Sequence, residues 1–220
     1  MLTSVVAGLS ILIIGDSHLT GPHYLIDTLH MRLERQGAQV HTVGVCGANP
    51  GDWLKAVKGT CGGAERIGKD PVTVKDVNAA TYPIVDLLAK DKPDLLVIVM
   101  GDTTAAYTKD VFPKAWAWQQ VTSLTQAVAK TGTACVWVGP AWGTEGGKYR
   151  KTFGRVKLMS AFLGANVQPC TYIDSLEFSK QGEWATVDGM HYTRAGYEAW
   201  GQALTQQLLE SSVVKGLEKK

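Results

Sequence analysis

Five short apolar runs, at 10–14, 40–45, 94–100, 134–138 and 171–173, recur along the chain, and most are rich in valine and isoleucine. Runs of this length without polar alternation read as strands buried on both faces, as in a parallel sheet. Between them lie longer segments with helical spacing at 24–36, 82–90, 114–130 and 149–163, followed by a last one at 194–210. This alternation predicts an α/β chain, a three-layer α/β/α sandwich around a flavodoxin-like parallel five-stranded sheet. Ligands of such sheets bind in the crevice beyond the carboxyl ends of the strands. The chemistry is therefore to be sought where the strands end.

At 220 residues, with no internal repeat and no low-complexity linker, the chain is expected to form a single domain over 1–220. The stretch 59–81 breaks the rhythm with glycines, a proline and scattered charges, and it reads as a long loop or insertion beside the site. A formal charge of only +2 argues against nucleic acid as a partner. No run of about 18 apolar residues exists to span a membrane. The apolar stretch 5–14 lacks a basic segment before it and is read as a strand leading into the site, not as an export signal.

Cys46, Cys61, Cys135 and Cys170 show no Cys-x-x-Cys spacing and no histidine at zinc-finger distance, so no metal is expected. Four cysteines allow three complete pairings, and two disulfides or four buried thiols both remain open. Disulfides would imply a periplasmic or secreted protein, with an export signal ahead of this chain; otherwise the protein is cytoplasmic.

The first strand runs straight into Gly15-Asp16-Ser17-His18, which puts a serine at a strand end. A serine hydroxyl becomes a nucleophile only when a base takes its proton, and a turn entering a helix offers backbone N–H groups to the resulting oxyanion. The far end of the chain supplies Asp188-Gly189-Met190-His191. A carboxylate three residues before a histidine can fold back onto imidazole Nδ1–H, leaving Nε2 for the serine. Each residue has a commoner structural role, Ser17 as a helix cap, Asp188 as a turn former and His191 as a loop polar residue. All three together are much harder to explain that way.

In this arrangement the sequence resembles the SGNH (GDSL-like) hydrolases. Gly15-Asp16-Ser17-His18 is similar to their first block, Gly44-Val45-Cys46-Gly47-Ala48 to the second, and Asp188-Gly189-Met190-His191-Tyr192-Thr193 to the last. The resemblance implies that Ser17 attacks an ester carbonyl, His191 carries the proton and Asp188 orients His191. It also implies an oxyanion hole made by the N–H groups of Ser17 and Gly47. The third block departs from the pattern: where the family carries Gly-x-Asn-Asp, this chain has Gly101-Asp102-Thr103-Thr104. Losing an oxyanion donor costs roughly two to three orders of magnitude in serine enzymes. Thr103 is the expected substitute, because its hydroxyl can donate one hydrogen bond, whereas an ionised Asp102 can only accept. Asn49, just after the second-block glycine, is the next candidate donor.

Asn49, Asp102 and Trp142 are expected to contact substrate, Trp142 by stacking on a sugar ring from the loop that leaves the fourth strand. Trp53, Tyr107, Lys148 and Arg150 lie on strand-end loops from which they could reach a polar ligand. Gly143-Thr144-Glu145-Gly146-Gly147-Lys148 fails as a phosphate loop, its spacing being one short and tyrosine following the lysine. The dinucleotide fingerprint fails after the first strand, so no cofactor is expected. The resemblance then suggests a serine esterase that removes small acyl groups, O-acetyl above all, from a carbohydrate. Two alternatives stay open: transfer of the acyl group to a polysaccharide hydroxyl, or a catalytically weak polysaccharide-binding or assembly protein on the same scaffold. The oligomeric state is not legible in the sequence.

Overall fold

A computed structural model describes residues 4–217 of the chain. The five expected strands form as β1 (Ser10–Gly15), β2 (Gln39–Val45), β5 (Leu95–Val99), β6 (Ala134–Val138) and β7 (Thr171–Ile173). They pair in parallel in the order β2-β1-β5-β6-β7, the flavodoxin-like succession. The α/β class is as expected, but the sheet has seven strands among the described residues. The stretch read as a loop contributes β3 (Gly63–Ile67) and β4 (Thr73–Lys75), which add antiparallel strands beyond β2. Neither carries an apolar run: β3 holds Glu65 and Arg66, and β4 is largely exposed at the sheet edge. An edge ribbon buries one face at most, so its sequence lacks the hydrophobic continuity that marked the other five.

The long helices are α1 (Leu25–Arg35), α2 (Ile84–Asp91), α4 (Lys114–Ala129), α5 (Phe153–Asn166) and α6 (Arg194–Glu210); α3 (Asp102–Ala105) and α7 (Ser212–Gly216) are short. Side chains alternate across the strands and feed two apolar layers. Ile11, Ile13, Val97, Val99, Val136 and Val138 face α1 and α6 through Leu29, Leu33, Trp200 and Leu204. Leu12, Ile14, Leu96, Ile98 and Trp137 face the other way, onto Leu88, Val121, Leu124 and Met159 of α2, α4 and α5. Both layers are fully buried, which is why the strands read as unbroken apolar runs. Helix α5 begins at Phe153 and not at 149, because Gly146, Gly147 and Arg150 take positive φ in a loop closed by the Gly146–Lys151 bridge.

Successive connections run from β1 outward to β2, then back across β1 to β5, so the chain changes winding direction between β1 and β5. The segments leaving these two strands, 16–20 and 100–106, flank the crevice where such sheets bind ligands.

Candidate active site

Ser17 opens a single 3-10 turn, Ser17–Leu19, immediately beyond β1. Asp16 caps this turn, its Oδ1 accepting from the backbone N–H of His18 at 3.1 Å. The turn can lie against β2 because Gly44 has no side chain: a Cβ there would stand 2.5 Å from Leu19. Asp16 is fully buried and its Oδ2 has no hydrogen-bond partner among the described residues. Burial pushes its carboxyl up to about 6, against the opposing pull of His18.

The structure brings Ser17, His191 and Asp188 together. Ser17 Oγ lies 2.7 Å from His191 Nε2, and His191 Nδ1 lies 2.7 Å from Asp188 Oδ2. The other oxygen of Asp188 accepts from the backbone N–H groups of Met190 at 3.0 Å and His191 at 2.7 Å. The same carboxylate thus builds the turn and orients the imidazole, which explains the three-residue spacing. Burial disfavours the charge of Asp188, but its hydrogen bonds from His191 outweigh that and hold its carboxyl below the usual range. His191 is 8% exposed, and burial together with the neighbouring His18 lowers its basicity despite Asp188. Tyr24 stacks on the imidazole at 6.1 Å and Tyr149 meets it edge-on at 5.5 Å, fixing its plane.

Ser17 and His191 open onto a cavity of about 220 Å³ shared with Gly47, Thr103, Tyr107, Tyr149 and the Cys46–Cys61 pair. Gly47 has φ +78°, and a Cβ at that position would meet Thr60 Oγ1 at 2.4 Å, so both conformation and space require glycine. Its N–H has no acceptor among the described residues. Cys46 is bonded to Cys61, and Cys135 to Cys170. The backbone N–H of Thr60 donates to the Cys46 carbonyl at 2.9 Å, so the peptide leading into Gly47 is held from two sides.

Several expected contacts are corrected. Thr103 lines the cavity, but its hydroxyl donates to the Ala48 carbonyl at 2.9 Å. A hydroxyl has one proton, so this side chain ties α3 to the Gly47 loop and is not free to donate to an oxyanion. Asn49 starts the turn Pro50–Leu54, where its backbone N–H donates to Asp52 Oδ2 at 2.7 Å, and it does not line the cavity. Trp142 is 8% exposed, and its indole N–H donates to the carbonyls of Leu176 and Ser179, so no ring face is offered to a sugar. Trp53 is fully buried in the core. Of the four further loop residues, Tyr107 alone lines the cavity.

Asp102 borders the cavity with its carboxylate already engaged. Oδ1 accepts from Lys151 Nζ at 2.8 Å and from the Tyr107 hydroxyl, and Oδ2 lies 2.8 Å from His18 Nε2. His18 Nδ1 lies 2.9 Å from the Tyr197 hydroxyl. Burial opposes ionisation of Asp102, yet Lys151 and His18 hold its carboxyl far below the usual range. Lys151 is fully buried. Sequence reasoning passed over it because lysine is by default a surface residue; only the buried partner gives it away.

No family model matches the sequence. Protein BcsX of Komagataeibacter xylinus is 41% identical over 210 residues, covering 94% of this chain and 79% of that protein. The chain belongs to the BcsX family. The fold is that of the SGNH hydrolases. A solved peptidoglycan O-acetylesterase superimposes with a TM-score of 0.58 at 13% identity, covering 97% of this chain and 93% of that one. An acetyl xylan esterase does so with a TM-score of 0.57 at 13% identity, covering 91% of this chain and all of that one. At such identities the likeness concerns the fold alone.

Proposed function

We propose that this protein is a serine esterase that removes small acyl groups, chiefly O-acetyl, from a carbohydrate through an acyl-Ser17 intermediate. The observation that carries the reading is the continuous hydrogen-bonded line Ser17–His191–Asp188 at the carboxyl end of β1. His191 Nε2 takes the Ser17 proton as Oγ attacks the ester carbonyl, Asp188 stabilises the imidazolium, and His191 returns the proton to the departing sugar oxygen. Water, deprotonated in turn by His191, releases the acyl group. The N–H groups of Ser17 and Gly47 form the oxyanion hole, and the amide of a third-block asparagine is not replaced by Thr103.

Two things support an acetyl group on a sugar: a cavity of about 220 Å³, small for a long acyl chain, and fold neighbours that act on acetylated peptidoglycan and xylan. Two disulfides support work in an oxidising compartment, the periplasm or outside the cell. Incubating wild type and Ser17→Ala with an aryl acetate and with an acetylated oligosaccharide tests the reading. Acetate release from both by wild type, falling at least a thousandfold in the variant, is the expected result. Turnover that survives the substitution would remove Ser17 from the mechanism. Acetate appearing on an added sugar acceptor would make transfer, not hydrolysis, the reaction.

A further inference from the structure

The chain has six arginines, and four of them, Arg32, Arg35, Arg66 and Arg194, line a single cavity of about 480 Å³. No lysine among the described residues lines it. The arginines arrive from three elements: Arg32 and Arg35 from α1, Arg66 from the antiparallel strand β3, and Arg194 from the first position of α6. No residue of this cavity is shared with the one that holds Ser17.

We propose that this cavity binds the phosphoryl group of a small organic phosphate ester. Two of the guanidinium groups are already neutralised: Arg66 Nη1 donates to Asp27 at 2.5 Å and Arg32 Nη2 to Glu198 at 3.0 Å. Arg35 and Arg194 are exposed and have no carboxylate partner among the described residues. The lining therefore retains a charge of about +2, which matches a phosphate monoester at neutral pH and is twice what a carboxylate carries. Arg66 is 9% exposed, and its Nε, like that of Arg32, is buried without a hydrogen-bond partner among the described residues. Buried donors of this kind are satisfied in nearly all folded proteins by protein or water, and both of these belong to side chains that line the cavity. Guanidinium forks suit phosphate oxygens, and their exclusive use in place of lysine is the chemistry of geometric recognition rather than general attraction. The cavity exceeds a phosphate in size, and Pro22, Met31, Pro71 and Val72 provide an apolar wall for the organic body.

Isothermal titration of the purified protein with glucose 6-phosphate, uridine monophosphate and glucuronate tests this, using wild type, Arg35→Gln/Arg194→Gln and Ser17→Ala. The exposed double variant is chosen because it removes charge without touching the core. At least one of the two phosphate esters binds saturably, with Kd on the order of 1 mM or tighter. Affinity drops at least tenfold in the double variant and is unchanged in Ser17→Ala, and glucuronate binds at least tenfold more weakly. Absence of saturable binding by either ester, undiminished binding in the double variant, or glucuronate binding equally well would each overturn the assignment. The result is independent of whether Ser17 hydrolyses an ester.

Discussion

In the proposed mechanism His191 accepts a proton from Ser17 only while its imidazole is neutral, so the pH at which it charges sets the acid limit of activity. Burial and the neighbouring His18 lower its basicity below the usual value of 6.5, with Asp188 pulling the other way. The lowered value extends the working range downward: as pH falls, activity is lost below 6.5 rather than at it. A profile of kcat/KM for aryl acetate hydrolysis should therefore show an acid limb with its midpoint under 6.5. A midpoint above 6.5 would contradict the burial described. Asp188→Asn should lower kcat by roughly three to four orders of magnitude, since the imidazole loses its orienting acceptor. Because Asp188 opposes the shift, its removal should also carry the remaining midpoint further down. The hydrogen-bonded grouping of Ser17, His191 and Asp188 was legible from three residue types at strand-end and turn positions. The fate of Thr103 was not, because whether a hydroxyl is free depends on a carbonyl, that of Ala48, which lies 55 positions away in sequence.

At the scale of elements, the loop from Cys46 to Cys61 is the piece whose shape the proposed chemistry depends on most. Gly47 lines the Ser17 cavity, and the peptide that precedes it is held by Thr60 and by the bond to Cys61. The second disulfide joins β6 to the segment entering β7, away from the Ser17 cavity. Closing loops of 15 and 35 residues is worth roughly 3 and 4 kcal/mol respectively in the chain-entropy account. Both double alanine variants should thus unfold at lower denaturant concentration. Their kinetics should differ: Cys46→Ala/Cys61→Ala lowers kcat on an aryl acetate about tenfold or more, whereas Cys135→Ala/Cys170→Ala leaves it close to wild type. Equal kcat values in the two folded variants would deny the Gly47 loop its special dependence. The parallel strands were legible because burial on both faces leaves an unbroken apolar signature. β3 and β4 were not, since their strands carry charged residues and no apolar run, and Arg66, which β3 carries into the arginine cavity, looked like part of a loop.

Across the whole molecule, one buried ionic cluster joins segments that the sheet topology only brings near each other. His18 comes from the end of β1, Asp102 and Tyr107 from beyond β5, Lys151 from the loop after β6, and Tyr197 from α6. These five side chains tie together the crevice floor under Ser17, and none of them belongs to the proposed triad. A buried ion pair is not by itself stabilising, because desolvation consumes much of the attraction, but removing one partner leaves the other charge stranded. Lys151→Met should therefore destabilise the fold by about 3–5 kcal/mol at pH 7. Adding Asp102→Asn to it removes the stranded carboxylate and should restore part of that loss. Urea unfolding followed by tryptophan fluorescence measures both, and additive losses in the double variant would show that the two charges do not depend on each other. The position of Ser17 follows the same logic. If the cluster sets the floor, the double variant regains stability without regaining full kcat. A neutral amide in place of the Asp102 carboxylate cannot hold His18 as the charged group does, and the serine turn begins one residue before that histidine.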